Sequence, residues 1–128
     1  MRRFMIGLAA TLLALVLAAP AFSKVETVKG QVIDMSCYKM DKTNTGDHHQ
    51  MPKGPMDGCA TACAKAGQPL ALLTTDGKVV QITGDLAANK NEKLVAHVAH
   101  TVEVTGDVTT GDDGSMKIAG ASLKMISK

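Results

Sequence analysis

Five strand-like runs, a helical segment between the third and the fourth, and a glycine at the centre of two long strands predict a small five-stranded β-barrel with short helices. Val25 to Ile33 is the first strand, with Val28, Gly30 and Val32 on one face at period two and Lys29 and Gln31 opposite. Leu70 to Thr74 is the second and Val79 to Thr83 the third, joined by the Asp76-Gly77 turn signal. Asp85 to about Ala96 reads as a helix whose apolar face is Leu86, Leu94, Val95 and Val98. Thr101 to Val108 alternates as a fourth strand; Thr110 to Gly114 is a turn; Ser115 to Ile126 is the last strand, interrupted near Gly120. Val28-Lys29-Gly30-Gln31-Val32 and Val104-Thr105-Gly106-Asp107-Val108 share the pattern V-x-G-x-V. A glycine inside a strand marks a bulge or a tight bend at a barrel corner. The strand order and the helix position are those of an OB-like barrel.

Between the first two strands lies an insert that holds the chemistry. Asp34 to Tyr38 leaves the first strand, and residues 41–56 are rich in Asp, Asn, Gly, Pro and Lys without aliphatic periodicity, which predicts a loop. A loop this long in a small domain is functional or disordered. Asp57 is placed to cap a short helix over about Gly58 to Ala66, which Gly67-Gln68-Pro69 ends. This stretch contains all three cysteines, Cys37, Cys59 and Cys63, the pair His48 and His49, and four methionines, Met35, Met40, Met51 and Met56. Met116 and Met125, in the last strand, are expected in the core, and His97 and His100 are expected to be structural.

The first 23 residues read as a signal peptide: Arg2 and Arg3, an apolar run from about Phe4 to Ala19, then small residues suited to cleavage before Phe22 or before Lys24. Residues 24–128 then form one domain, expected as a periplasmic or secreted monomer with no membrane span after cleavage. Loss of Arg2 and Arg3 brings the basic count from 14 to 12, equal to the 12 acidic residues. A neutral domain without tryptophan offers neither a basic stripe nor stacking platforms, which excludes nucleic acid as a partner. An oxidising compartment permits disulfides, but three cysteines allow one intramolecular bond at most and leave a thiol over.

The pattern Gly30-x-Val32-x-Asp34-x-x-Cys37, then a histidine, then Cys59-x-x-x-Cys63, Gly67-x-Pro69 and the strand Val102 to Val108 resembles small exported bacterial proteins of mostly uncharacterised function. The resemblance spans most of residues 24–128. It implies an OB-like exported domain and suggests that the three cysteines form one feature.

Three readings of that feature stand side by side. Cys59 and Cys63, four apart, share one face of a helix. Cys37, with His48 or His49, can fold back to them and complete a Cys3His set for one zinc ion, or a thiolate-rich set for copper. Alternatively, Cys37 forms a disulfide with the helix, stapling a module that binds a periplasmic protein partner. In the third, Cys37 pairs with Cys59 or Cys63 and the remaining cysteine is free to exchange, since an exposed thiol at a helix N-terminus can attack a disulfide. No catalytic motif of hydrolases, phosphate-binding enzymes or haem proteins is present, so the expected function is non-enzymatic: a metal ion bound by Cys37, His48 or His49, Cys59 and Cys63.

Overall fold

The computed structural model describes residues 24–128, so the leader expected over residues 1–23 lies outside the described residues. Five strands close a barrel: β1 (Lys24–Asp34), β4 (Leu70–Leu73), β5 (Val79–Thr83), β6 (Thr101–Thr110) and β7 (Met116–Ser127). Between β1 and β4 the insert folds as α1 (Met35–Met40), the short strands β2 (His49–Met51) and β3 (Gly54–Met56), and α2 (Cys59–Lys65). The closed order is β1-β4-β5-β7-β6, with β5 and β7 parallel and every other pair antiparallel. Counting barrel strands alone, the order is one, two, three, five, four, as the OB-like reading requires.

Closure depends on β1 serving two neighbours. From Lys24 to Gln31 it pairs with β6, and from Gln31 to Asp34 it pairs with β4. The strand turns at Gly30, where an added Cβ would lie 2.7 Å from the Leu73 carbonyl oxygen. Gly106 is tighter still: its Cβ would lie 2.0 Å from the Ala119 oxygen. Thr105 pairs with Ser122 but Gly106 with Gly120, so Ala121 is left over as a bulge. The interruption expected near Gly120 is this bulge, and it supplies the bend that closes the barrel.

The core is aliphatic. Val32, Leu70, Leu72, Val80, Ile82, Val102, Val104, Val108 and Ile118 fill the barrel, and Leu86, Leu94 and Val98 join them from the segment between β5 and β6. Ala60 and Ala64 of α2 belong to the same core. That contact seats the cysteine helix on the barrel.

Several expectations are corrected. Asp85 to Ala96 is not one helix. Asn89, Lys90 and Asn91 follow one another with φ of 52°, 56° and 59°, leaving short helical turns on either side. The left-handed run brings Asn91 inward, where its side-chain amide donates to the carbonyls of Ala64 (3.0 Å) and Gln68 (2.8 Å). These bonds tie the segment between β5 and β6 to the C-terminal end of α2 and to the turn that follows it. Leu86, Leu94 and Val98 are still buried as expected, with Val95 half-buried against them, because burial follows side-chain placement and not the regularity of the backbone. Asp34 to Tyr38, expected as the exit from β1, cap and open α1 (Met35–Met40), and residues 49–56, expected as loop, form a hairpin. Met125 is 42% exposed and does not join the core, whereas Met116 packs against it. Among the described residues no helix is long and apolar enough to cross a membrane.

Candidate metal centre

Each cysteine comes from a different position of the insert, and local hydrogen bonding fixes each. Asp34 ends β1 and caps α1: its Oδ1 accepts from the backbone N–H groups of Ser36 (2.9 Å) and Cys37 (3.3 Å). That bond locks Cys37 into the first turn of α1 with its side chain inward. Asn44, almost fully buried, donates to the Cys37 and Gln50 carbonyls and accepts from the Gln50 N–H at 2.8 Å. It ties α1 to β2, and so places His49 beside Cys37.

The start of α2 is capped from a distance. Gly58 precedes the helix with φ 68°, and no side chain caps from that position. Asp47 takes the role: its carboxylate accepts from the Thr61 N–H (2.7 Å) and the Thr61 hydroxyl (2.9 Å), and its carbonyl accepts from the Cys59 N–H (3.1 Å). The expected cap, Asp57, is exposed and pairs with His48 instead. A capping residue eleven positions upstream leaves no local sequence signature, and Asp57 was the nearest acidic residue before the alanine run. On α2, Ala60 and Ala64 face the barrel while Cys59 and Cys63 form the neighbouring stripe.

These constraints bring the cysteines together. The three sulfurs of Cys37, Cys59 and Cys63 lie within 4.8 Å of one another, and all three are free thiols. A second group shares Cys37: one donor atom each from Asp34, Cys37 and His49 lies within the same 4.8 Å limit. Asp34 and His49 are fully buried, and Cys37 and Cys59 are 4% exposed. His49 Nε2 meets the Gly46 carbonyl oxygen at 2.7 Å. A carbonyl can only accept, so Nε2 carries the proton and Nδ1 keeps a lone pair to offer. Nδ1 is buried without a hydrogen-bond partner, as is Asp34 Oδ2. Thiolates on one tetrahedral zinc ion sit roughly 3.8 Å apart, given bonds of about 2.3 Å, and the three sulfurs, within 4.8 Å of one another, are close to that spacing.

His48 is not part of this arrangement. It is exposed and faces Asp57, because successive residues at the start of β2 point to opposite sides of the hairpin. Of the two histidines expected as alternatives, His49 is the one brought within 4.8 Å of Cys37. Asp34 caps α1 with one oxygen, and its other oxygen is buried without a partner. Asn44 and Asp47, which hold the insert in place, were not singled out in the sequence; polar residues in a polar loop carry no periodic signal.

The electrostatics of the cluster are those of acids packed together. Burial first, then the adjacent Asp34 carboxylate and the neighbouring thiols, push the Cys63 thiol up to about 12, and the same causes push Cys37 up as well. The carboxylate and the neighbouring thiols together disfavour ionisation of Cys37 and Cys63. A cation removes that repulsion, and thiols binding it lose their protons. Burial and the Asp34 carboxylate oppose thiolate formation at Cys37 and Cys63 in the metal-free protein. A pH dependence follows. A thiol whose value is raised on folding contributes stability that is complete below the ordinary value of 9.0 and lost as pH climbs toward about 12. Thermal melts of the metal-free protein are expected to fall over this window, and the Cys63→Ala variant to show a shallower fall; equal slopes would contradict the placement of Cys63 against Asp34.

Comparison of the chain with protein-family models, with curated proteins and with solved structures finds no match, and the arrangement itself is what carries a functional reading.

Proposed function

We infer that this is an exported domain that binds one soft transition-metal ion, zinc or copper, through Cys37, Cys59, Cys63 and His49. The observation that carries the reading is the convergence of three free thiols within 4.8 Å beside a buried histidine whose Nδ1 has no other partner. Buried polar groups are paired in folded proteins, and a cluster left without partners points to a ligand. Three sulfurs and one imidazole nitrogen suit tetrahedral zinc; three sulfurs alone suit Cu(I). Asp34 would stand behind the ligands, orienting Cys37 through its backbone N–H. Cys37, Cys59 and His49 are buried and Cys63 is half-buried, which fits an ion held mostly out of solvent. Export is supported by the basic, apolar and small-residue segments of residues 1–23 and by the resemblance to exported proteins.

Elemental analysis of the purified protein tests this. One equivalent of zinc or copper is expected, and less than a tenth of it in the Cys59→Ser, Cys63→Ser variant. Substitution with Co(II) adds a fingerprint: an intense sulfur-to-cobalt charge-transfer band, lost in the same variant. A wild-type protein that takes up no metal and titrates with a single thiol would instead establish the disulfide staple.

A further inference from the structure

The insert that holds the thiols also carries exposed methionines, and nothing in the core accounts for them. Met40 is 65% exposed and Met56 51% exposed, so neither fills a packing gap. Both lie one step from a thiol-site residue. Met40 ends α1, three residues after Cys37. Met56 is the direct cross-strand partner of His49 in the β2–β3 hairpin. Residues opposed in an antiparallel pair project to the same face with Cβ atoms about 4.5–5.5 Å apart. Met51, two residues along β2 from His49, shares that face as well. Met40 and Met51 line one open pocket of about 320 Å³, together with Asp41, Gln50 and Pro52. Met40 and Met51 thus share one pocket, and Met56 stands across the hairpin from the buried His49.

We propose that Met40, Met51 and Met56 form a surface site for Cu(I), from which the ion passes to the thiols beneath. A thioether is a neutral, soft ligand that suits Cu(I) and offers little to zinc. Because it is neutral, it binds without releasing a proton and holds the ion weakly. The thiols bind more strongly, each that binds giving up one proton to solvent. The ion keeps its charge throughout, and no electron is transferred. The gradient from exposed thioether to buried thiolate gives the transfer its direction. His49, on the same hairpin face as Met51 and Met56 and within 4.8 Å of Cys37, is the bridging position between the two sets. The transfer rests on the thiols being a metal site; the surface binding does not.

The probe is Ag(I), a closed-shell ion with the ligand preferences of Cu(I), added to protein labelled at its methionine methyl groups. The methyl resonances of Met40, Met51 and Met56 are expected to shift on addition, and those of Met116 and Met125 to stay in place. The M40L/M51L/M56L variant, which keeps apolar volume, is expected to lose a weakly bound equivalent and to load Cu(I) several-fold more slowly. Its zinc uptake and thermal midpoint should match the wild type, which separates a ligand role from a packing role. Methyl resonances that ignore Ag(I) would overturn the surface site, and wild-type loading kinetics in the triple variant would overturn the transfer. Should the Cys59→Ser, Cys63→Ser variant bind Ag(I) at the methionines while the wild-type thiols take no metal, the surface site stands and the thiol reading fails.

Discussion

Removal of the metal is expected to cost the protein roughly 4 kcal/mol of stability where free ion had exceeded its dissociation constant a thousandfold. The physical reason lies in what holds the insert. Residues 38–58 separate Cys37 from Cys59 and contribute no residue to the main core cluster. They are kept in place by the side chains of Asn44 and Asp47 and by a hairpin of three residues a side. A metal bound to Cys37, His49, Cys59 and Cys63 cross-links α1, β2 and α2, and closes that long loop in the folded state only. Urea unfolding with and without a strong chelator reads the difference directly. The Cys59→Ser, Cys63→Ser variant should begin at the chelated wild-type value and not respond to chelator. His49→Ala should lose most of the response and His48→Ala none of it. A wild-type midpoint that chelation leaves unmoved would remove metal from any structural role.

The Gly106→Ala substitution is expected to destabilise by about 3 kcal/mol or more, the upper end of the range for forcing extra volume into a packed site. The obstacle is backbone, which has no rotamer to change: the new Cβ would sit 2.0 Å from the Ala119 oxygen and 2.7 Å from its carbonyl carbon. Relief requires β6 and β7 to separate at the bulge, where the barrel bends. Gly46→Ala is the control. Its Cβ would meet nothing nearer than the His48 nitrogen at 4.0 Å, outside the left-handed region, and a change within about 0.5 kcal/mol is expected, as for most surface substitutions. Chemical denaturation of both variants checks the pair. A mild effect at Gly106 would mean that the close crossing of β6 and β7 is not needed for closure.

The barrel was legible because its signals are local. Alternation along Val28 to Val32 and Val102 to Val108, the Asp76-Gly77 turn, and glycine at two strand centres each require only a few neighbouring residues. Strand order then limited the topologies to one familiar barrel. The segment from Asp85 was misread for the same reason. Its apolar residues fall at helical spacing, and burial honours them, but Asn91 is pulled by the carbonyls of Ala64 and Gln68, which are more than twenty residues away in sequence. Met125 fails in the other direction. It sits in a strand, but past the bulge at Ala121 its strand continues toward an exposed end.

The amino-acid sequence alone established the ingredients of the site: three cysteines that cannot all pair, a C-x-x-x-C that places two of them on one helical stripe, and a histidine pair in the connecting loop. Composition and spacing are sufficient for that, because they depend on covalent order and helical period. Which histidine turns inward, that Asp34 turns one oxygen toward Cys37, and that Asp47 and not Asp57 caps the cysteine helix depended on folding. Those choices are made by hydrogen bonds between residues brought together only when β1, the hairpin and α2 pack against the same barrel, and no local preference of the chain encodes them.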